Sequence, residues 1–151
     1  MIDAIDRKIL QELQADASLS NVELAERVGS SAPSCWRRVK ALEAADILGP
    51  AVRLLDAAQV GYGVNVICNV RMRSHDTANT SAFEAFVHNR PEILDCYSMS
   101  GDWDYLLRVV SSDVADYERF LMRVLLPQPS VATASSHFAL SQTKYSTRFP
   151  V

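Results

Sequence analysis

Arg37, Arg38 and Lys40 stand within four residues of one another, ten positions beyond Arg27. Cations grouped this closely can neutralise nucleic-acid phosphates. A guanidinium such as that of Arg37 can also donate to guanine O6 and N7 together and so read a base. That chemistry needs a rigid support, and Ser20–Leu42, SNVELAERVGSSAPSCWRRVKAL, carries the signals for one. Ser20 is an N-cap, and Glu23, three residues on, completes a capping box. Leu24, Ala25 and Val28 form one apolar face. Gly29 falls where a helix ends in a left-handed residue. Ser31 caps a second helix, whose first turn tolerates Pro33 because its N–H groups have no intrahelical partner. Ala32, Cys35, Val39 and Leu42 make the inward stripe of that helix and leave Ser34, Arg37, Arg38 and Ala41 on other faces. Trp36 is expected to pack between helices. A short helix, a tight turn and a second helix with a polar front form the helix-turn-helix pattern, which lays the second helix in the DNA major groove. An ordinary helical hairpin with a solvated charged face shows the same local pattern.

The chain has 151 residues, 48% hydrophobic and 22% charged, the composition of a soluble globular protein with one ordinary domain or two small ones. Its formal net charge is −3, and residues 1–50 carry six Lys/Arg against eight Asp/Glu. A globally basic nucleic-acid binder is excluded. Attraction to DNA must come from the local cluster of Arg27, Arg37, Arg38 and Lys40, and dimerisation, which doubles the contacts, becomes almost a requirement. Cys35, Cys68 and Cys96 are far apart and odd in number, without a CxxC or Cys/His cluster. They are expected as buried thiols of a cytoplasmic protein, with neither disulfide framework nor zinc site. The N-terminal MIDAIDRKIL is charged and periodic, unlike a signal peptide, and no apolar run is long enough to span a membrane. No nucleophile–base pairing, phosphate loop or metal spacing is visible, so no catalytic residue, metal ligand or cofactor is expected. His75 and His88 are expected to stand without a paired carboxylate.

The elements follow from periodicity. Asp3 caps a first helix with Ile5, Ile9, Leu10 and Leu13 inward, ending near Asp16. With the two helices above it makes a three-helix head, broken at Gly49-Pro50. Ala51–Asp56 reads as a short strand and Gln59–Gly63 as a linker. From Val64 the period becomes two: Val64, Val66, Cys68, Val70 and Met72 alternate with Asn65, Ile67, Asn69, Arg71 and Arg73. A helix over 77–90 follows, with Phe83, Phe86 and Val87 as its stripe. Strands are expected at Ile93–Ser100 and Tyr105–Val110, about a Gly101-Asp102 turn. A helix capped by Asp113 buries Tyr117, Phe120, Leu121, Val124 and Leu125 and ends at Pro127 and Pro129. Val131–Leu140 closes the series as a strand. The order β-α-β-β-α-β is the split βαβ, or ferredoxin-like, arrangement. The fold class is therefore α+β: a helix-turn-helix, winged-helix-like head over 1–50, a strand and linker over 51–63, a ferredoxin-like domain over 64–141 and a tail over 142–151. Helices cover only one sheet face, so sheet-to-sheet dimerisation is a natural way to bury the other.

A helix-turn-helix head followed by a ferredoxin-like half resembles the leucine-responsive/asparagine-responsive (Lrp/AsnC, or feast/famine) regulators. Three segments carry the likeness: IDRKILQELQADASLSNVELAERVGSS, SAPSCWRRVKALEAADILG, and SGDWDYLLRV at Ser100–Val109. It extends over roughly residues 2–145. The resemblance implies a transcription regulator that binds double-stranded DNA and forms homodimers, which assemble into octameric rings or related oligomers. It also implies a small effector, most often an amino acid, held where dimers meet near the glycine-aspartate turn. Ser31, Pro33, Ser34, Arg37, Arg38 and Lys40 match the DNA-facing helix. Family members often have proline where this chain has Ala32 and Ser34, with Pro33 falling between them. Met99, Ser100, Gly101, Asp102 and Asp104 match the effector turn. There Asp102 or Asp104 can pair with an ammonium, and backbone N–H groups at the glycine can hold a carboxylate. On the last strand the family tends to place threonines where this chain has Ala134 and Ser136, and Ser136 and His137 are expected to line the same pocket.

Two alternatives share the architecture. Siroheme decarboxylases tend to carry a histidine- and asparagine-rich motif around the second and third strands. Here that region reads CYSMSGDWDYLL, without histidine and without the converging cations a tetraanionic porphyrin needs. An architectural DNA organiser would share every motif, and differs only in its ratio of specific to non-specific affinity.

Overall fold

The computed structural model describes residues 2–151. The chain forms two compact units, one of residues 1–53 with 143–151 and one of Leu54–Gln142.

In the first unit, α1 (Ala4–Ala15), α2 (Asn21–Val28) and α3 (Ala32–Ala44) begin at the caps expected of them. Asp3 and Asp6 form a capping box on α1, and Ser20 and Glu23 one on α2. Gly29 ends α2 at φ 71° and ψ 46°, a conformation that penalises any residue with a Cβ. Ile9, Leu10, Leu24, Ala25, Val28, Cys35 and Leu42 are buried together as one small core. Residues 143–151 lie against α1: Phe149 N donates to Gln14 Oε1 at 2.6 Å, Gln14 Nε2 donates to Phe149 O at 3.2 Å, and Gln11 Nε2 donates to Val151 O at 2.6 Å. Two expectations are corrected here. α3 stops at Ala44, and the chain turns at Asp46 (φ 54°), ahead of Gly49-Pro50. Residues 51–56 are not a strand. A strand exists only through ladder hydrogen bonds, and the one sheet among the described residues takes none from this segment.

The second unit is a four-stranded antiparallel sheet in the order β2-β3-β1-β4. Its elements are β1 (Val64–Met72), α4 (Thr77–His88), β2 (Ile93–Ser98), β3 (Tyr105–Ser111), α5 (Val114–Phe120) and β4 (Val131–Phe138). α5 runs on into one π-helical turn, Leu121–Leu125, before Pro127. Both helices pack on one face, where Val66, Cys68, Val70, Leu107 and Val109 meet Phe83, Tyr117 and Phe120. The Phe83 and Tyr105 rings lie 4.8 Å apart. β2 and β4 are each two residues shorter than expected, because their last residues extend beyond the pairing ladder. The opposite sheet face carries Asn65, Ile67, Asn69 and Arg71 of β1 beside Leu106, Arg108 and Val110 of β3. On it Asn65 Oδ1 is buried without a hydrogen-bond partner.

Candidate nucleic-acid interface and effector turn

α3 is held to its unit by residues that the sequence places on opposite sides of it. Ser31 Oγ accepts from Ser34 N at 3.4 Å and so caps the helix start. Cys35 and Leu42 anchor the inner face in the core. Pro33, Arg37 and Lys40 are exposed on one outer face, three and four residues apart. Ser34 is partly buried.

The four cations expected to meet phosphates do not share one state. Arg38 Nη1 donates to Asp3 Oδ2 and to Asp6 Oδ1, both at 2.7 Å, and its Nε is buried without an acceptor. The Asp6 N–H that Asp3 caps, and then Arg38, hold the Asp3 carboxyl below its ordinary value. Arg38 thus ties α3 to α1. Lys40 pairs with Glu43 at 2.7 Å and Arg27 with Glu12 at 3.1 Å. Arg37 alone of the four makes no ion pair among the described residues. Trp36, expected to pack between helices, is instead 54% exposed. Cys35, its neighbour in sequence, and Leu42, six residues on, take the inward face of the helix instead.

The second site is the turn between β2 and β3. Gly101 takes φ +106°, a conformation open to glycine, and nothing lies within 4 Å of where a Cβ would be. Met99 N donates to Asp104 O at 2.9 Å and Asp104 N donates to Val70 O at 3.0 Å, which fastens the turn to β1. Asp104 Oδ2 accepts from Met72 N at 2.7 Å, and its Oδ1 meets His75 Nε2 at 2.8 Å. The Met72 hydrogen bond, then His75, depress the Asp104 carboxyl below its ordinary value against a partial desolvation. His75 therefore does have a carboxylate partner, brought to it across 29 residues of sequence. Arg71 was also outside the expected site. Its Nε and Nη2 donate to Asp102 O at 3.1 and 2.9 Å, and its guanidinium lies 4.9 Å from the centre of the Trp103 ring. Its only sequence signal was a place on the polar phase of β1.

Met99, Ser100, Gly101 and Asp102 lie together, exposed at the tip. Ser136 and His137 are not brought to them. Ser136 pairs with Cys68, and its Oγ lies 2.5 Å from Tyr117 Oη on the helix-covered face. His137 pairs with Ile67 and is exposed. The β4 residue opposite Arg71 is Thr133. Three residues separate Arg71 from Cys68 along β1, about 10 Å of strand. Alternation also turns Ser136 and His137 to opposite faces. Among the described residues no three His, Cys, Asp or Glu side chains converge as metal ligands, and no helix is long and apolar enough to cross a membrane.

Comparison with known proteins matches two family models in succession along the chain. Residues 2–43 match the AsnC-type helix-turn-helix domain, and residues 65–149 match the Lrp/AsnC ligand binding domain. The chain is 37% identical over 151 residues to the DNA-binding transcriptional activator DecR of Escherichia coli K12, covering 100% of this chain and 99% of that protein. It is 39% identical over 143 residues to a leucine-responsive regulatory protein of Rhizobium meliloti, covering 95% of this chain and 92% of that one. Among solved structures, a transcriptional regulator of Neisseria meningitidis in complex with L-Met superposes with a TM-score of 0.95 at 37% identity, covering 99% of this chain and 97% of the other. Helix-turn-helix head, antiparallel ferredoxin-like sheet and glycine-aspartate turn, matched end to end by these relatives, place the chain in the Lrp/AsnC family of transcriptional regulators.

Proposed function

We propose that this chain is a sequence-specific, DNA-binding transcriptional regulator whose assembly or DNA affinity responds to an amino acid, rather than an enzyme. The observation that carries it is the exposed outer face of α3, with Arg37 in no ion pair among the described residues, on a helix held by its Ser31 cap, its core face and the Arg38 ion pairs. Pro33, Arg37 and Lys40 are its DNA contacts, Ser31 and Arg38 position the helix, and Ser34 borders the contact face. Relatives named for leucine response and glutamate uptake, and a structural neighbour holding L-Met, support an amino acid as effector. Met99, Ser100, Gly101 and Asp102 receive it, with Arg71 offering a cation to its carboxylate and Asp104 holding the turn. Ser136 and His137 take no part.

The assembly is a homodimer through the open sheet face, and dimers build an octamer. The half-buried Ile67 and Leu106 on that face, and the unpartnered Asn65 Oδ1, support the first step: a facing copy removes apolar surface from water and can supply the missing donor.

The test is fluorescence anisotropy on the DNA upstream of the protein's own gene, over a salt series, with and without the twenty amino acids. Tight binding that weakens with salt and shifts with the mixture supports the regulator. Because three of the four cations are already paired, the log–log salt slope should be shallow, near −0.9 for each phosphate contacted. Equal affinity for any duplex would favour an architectural organiser, and no binding at low salt would overturn the DNA reading.

A further inference from the structure

We propose that Trp36 is a base-reading residue whose indole presses against thymine 5-methyl groups in the major groove, beside Arg37. The proposal rests on the DNA-binding reading and adds to it a residue and a base preference. α3 has one large apolar side chain outside the core, and it is this one: Trp36 is 54% exposed while Cys35 and Leu42 are 0% and 5% exposed. It stands three residues after Pro33, next to Arg37 and four before Lys40, on the edge of the outward face. No ring stacks on it and no cation caps it among the described residues. The exposed half of the indole is therefore open to a partner.

The charge of the head argues the same way. Arg27, Arg38 and Lys40 each stand in an ion pair within the unit, and Arg37 is the one cation of the group without an ion pair among the described residues. Phosphate contacts carry no sequence information, so a direct reading of sequence by this face rests on contacts with base edges. An apolar ring lying in the major groove meets one apolar landmark there, the thymine methyl. Arg37 and Trp36 side by side would read a guanine next to a thymine.

The test uses the full-length protein and a duplex that the wild type selects from random sequence at physiological salt. Affinities are measured for wild type, Trp36→Ala and Trp36→Phe on that duplex, on the same duplex with each thymine replaced in turn by uracil, and on random DNA. Uracil lacks only the methyl group. At one or two positions uracil should weaken the wild type roughly tenfold, the scale of one methyl in a good apolar contact. Trp36→Ala should lose at least as much on the thymine duplex, change little on random DNA and be blind to uracil. Trp36→Phe should keep part of the preference. In a Trp103→Phe background, where Trp36 is the sole indole, its fluorescence should change on the selected duplex. The proposal falls if Trp36→Ala keeps the wild-type preference or loses as much for uracil as the wild type does. It also falls if Trp36→Ala lowers the thermal midpoint or changes the sedimentation coefficient, because the indole would then serve folding or another protein surface. A wild type that selects no sequence would overturn the regulator itself, an outcome distinct from all of these.

Discussion

Arg37 and Arg38 are adjacent in the chain and point roughly 100° apart round α3. That angle sends Arg38 to Asp3 and Asp6 and leaves Arg37 in solvent. Arg37→Ala should weaken operator binding by about 1–3 kcal/mol, the range for a base-reading arginine, with no change in thermal midpoint. Arg38→Ala should lower the thermal midpoint, and its loss of DNA affinity should shrink on cooling as the helix settles back. Anisotropy and circular dichroism on the two variants separate contact from support. Asp104 gives a residue-scale prediction in pH. Its carboxyl is depressed in the folded chain, so its contribution is fully present above the ordinary value of 3.8 and is lost as pH falls through the lower folded value. Urea midpoints of wild type and Asp104→Asn should differ most above about pH 5 and converge in acid. The variant should also blunt the effector response while sparing DNA affinity without effector.

At the scale of elements, three carboxylate or hydroxyl caps start the helices of the head, and each satisfies N–H groups that the helix itself leaves unpaired. Ser20→Ala and Ser31→Ala should each cost about 1 kcal/mol in chemical denaturation. Ser31→Ala should in addition weaken DNA binding, since it loosens the first turn of the helix that carries Pro33 and Arg37. Each cap stood three residues from its N–H partner and was therefore visible in the sequence. The Asp104–His75 and Arg71–Asp102 contacts were not, because 29 and 31 residues separate the partners and the link runs through strand pairing. The same reason moved Ser136. Family likeness put it in the effector pocket, but strand alternation turns it to Tyr117.

For the whole molecule, the open face of the sheet governs assembly in the proposed regulator. Ile67→Asp places a charge in the middle of that face, between Arg108 on β3 and His137 on β4. It should dissociate the dimer in analytical ultracentrifugation and weaken operator binding through the loss of a second head, while the far-ultraviolet circular dichroism stays unchanged. A folded, still dimeric Ile67→Asp would place the interface elsewhere. Helix coverage of one face alone was legible from the alternation along β1, because a strand with one apolar phase needs one apolar layer.

By itself the sequence determined the helices of the head and the βαββαβ order, though not the absence of a strand at 51–56: caps, glycine turns and hydrophobic periods act between residues one to four positions apart, and such signals survive in a linear reading. It also determined the family, since the motifs of head, recognition helix and glycine-aspartate turn occur together in one chain. Only the tertiary structure decided which side chains remain available for a partner. Packing closes Arg38 onto α1, leaves Trp36 half-exposed and brings Arg71 and His75 to the turn. Availability depends on what stands opposite a side chain in space, and chain position does not specify that until strands have paired and helices have docked.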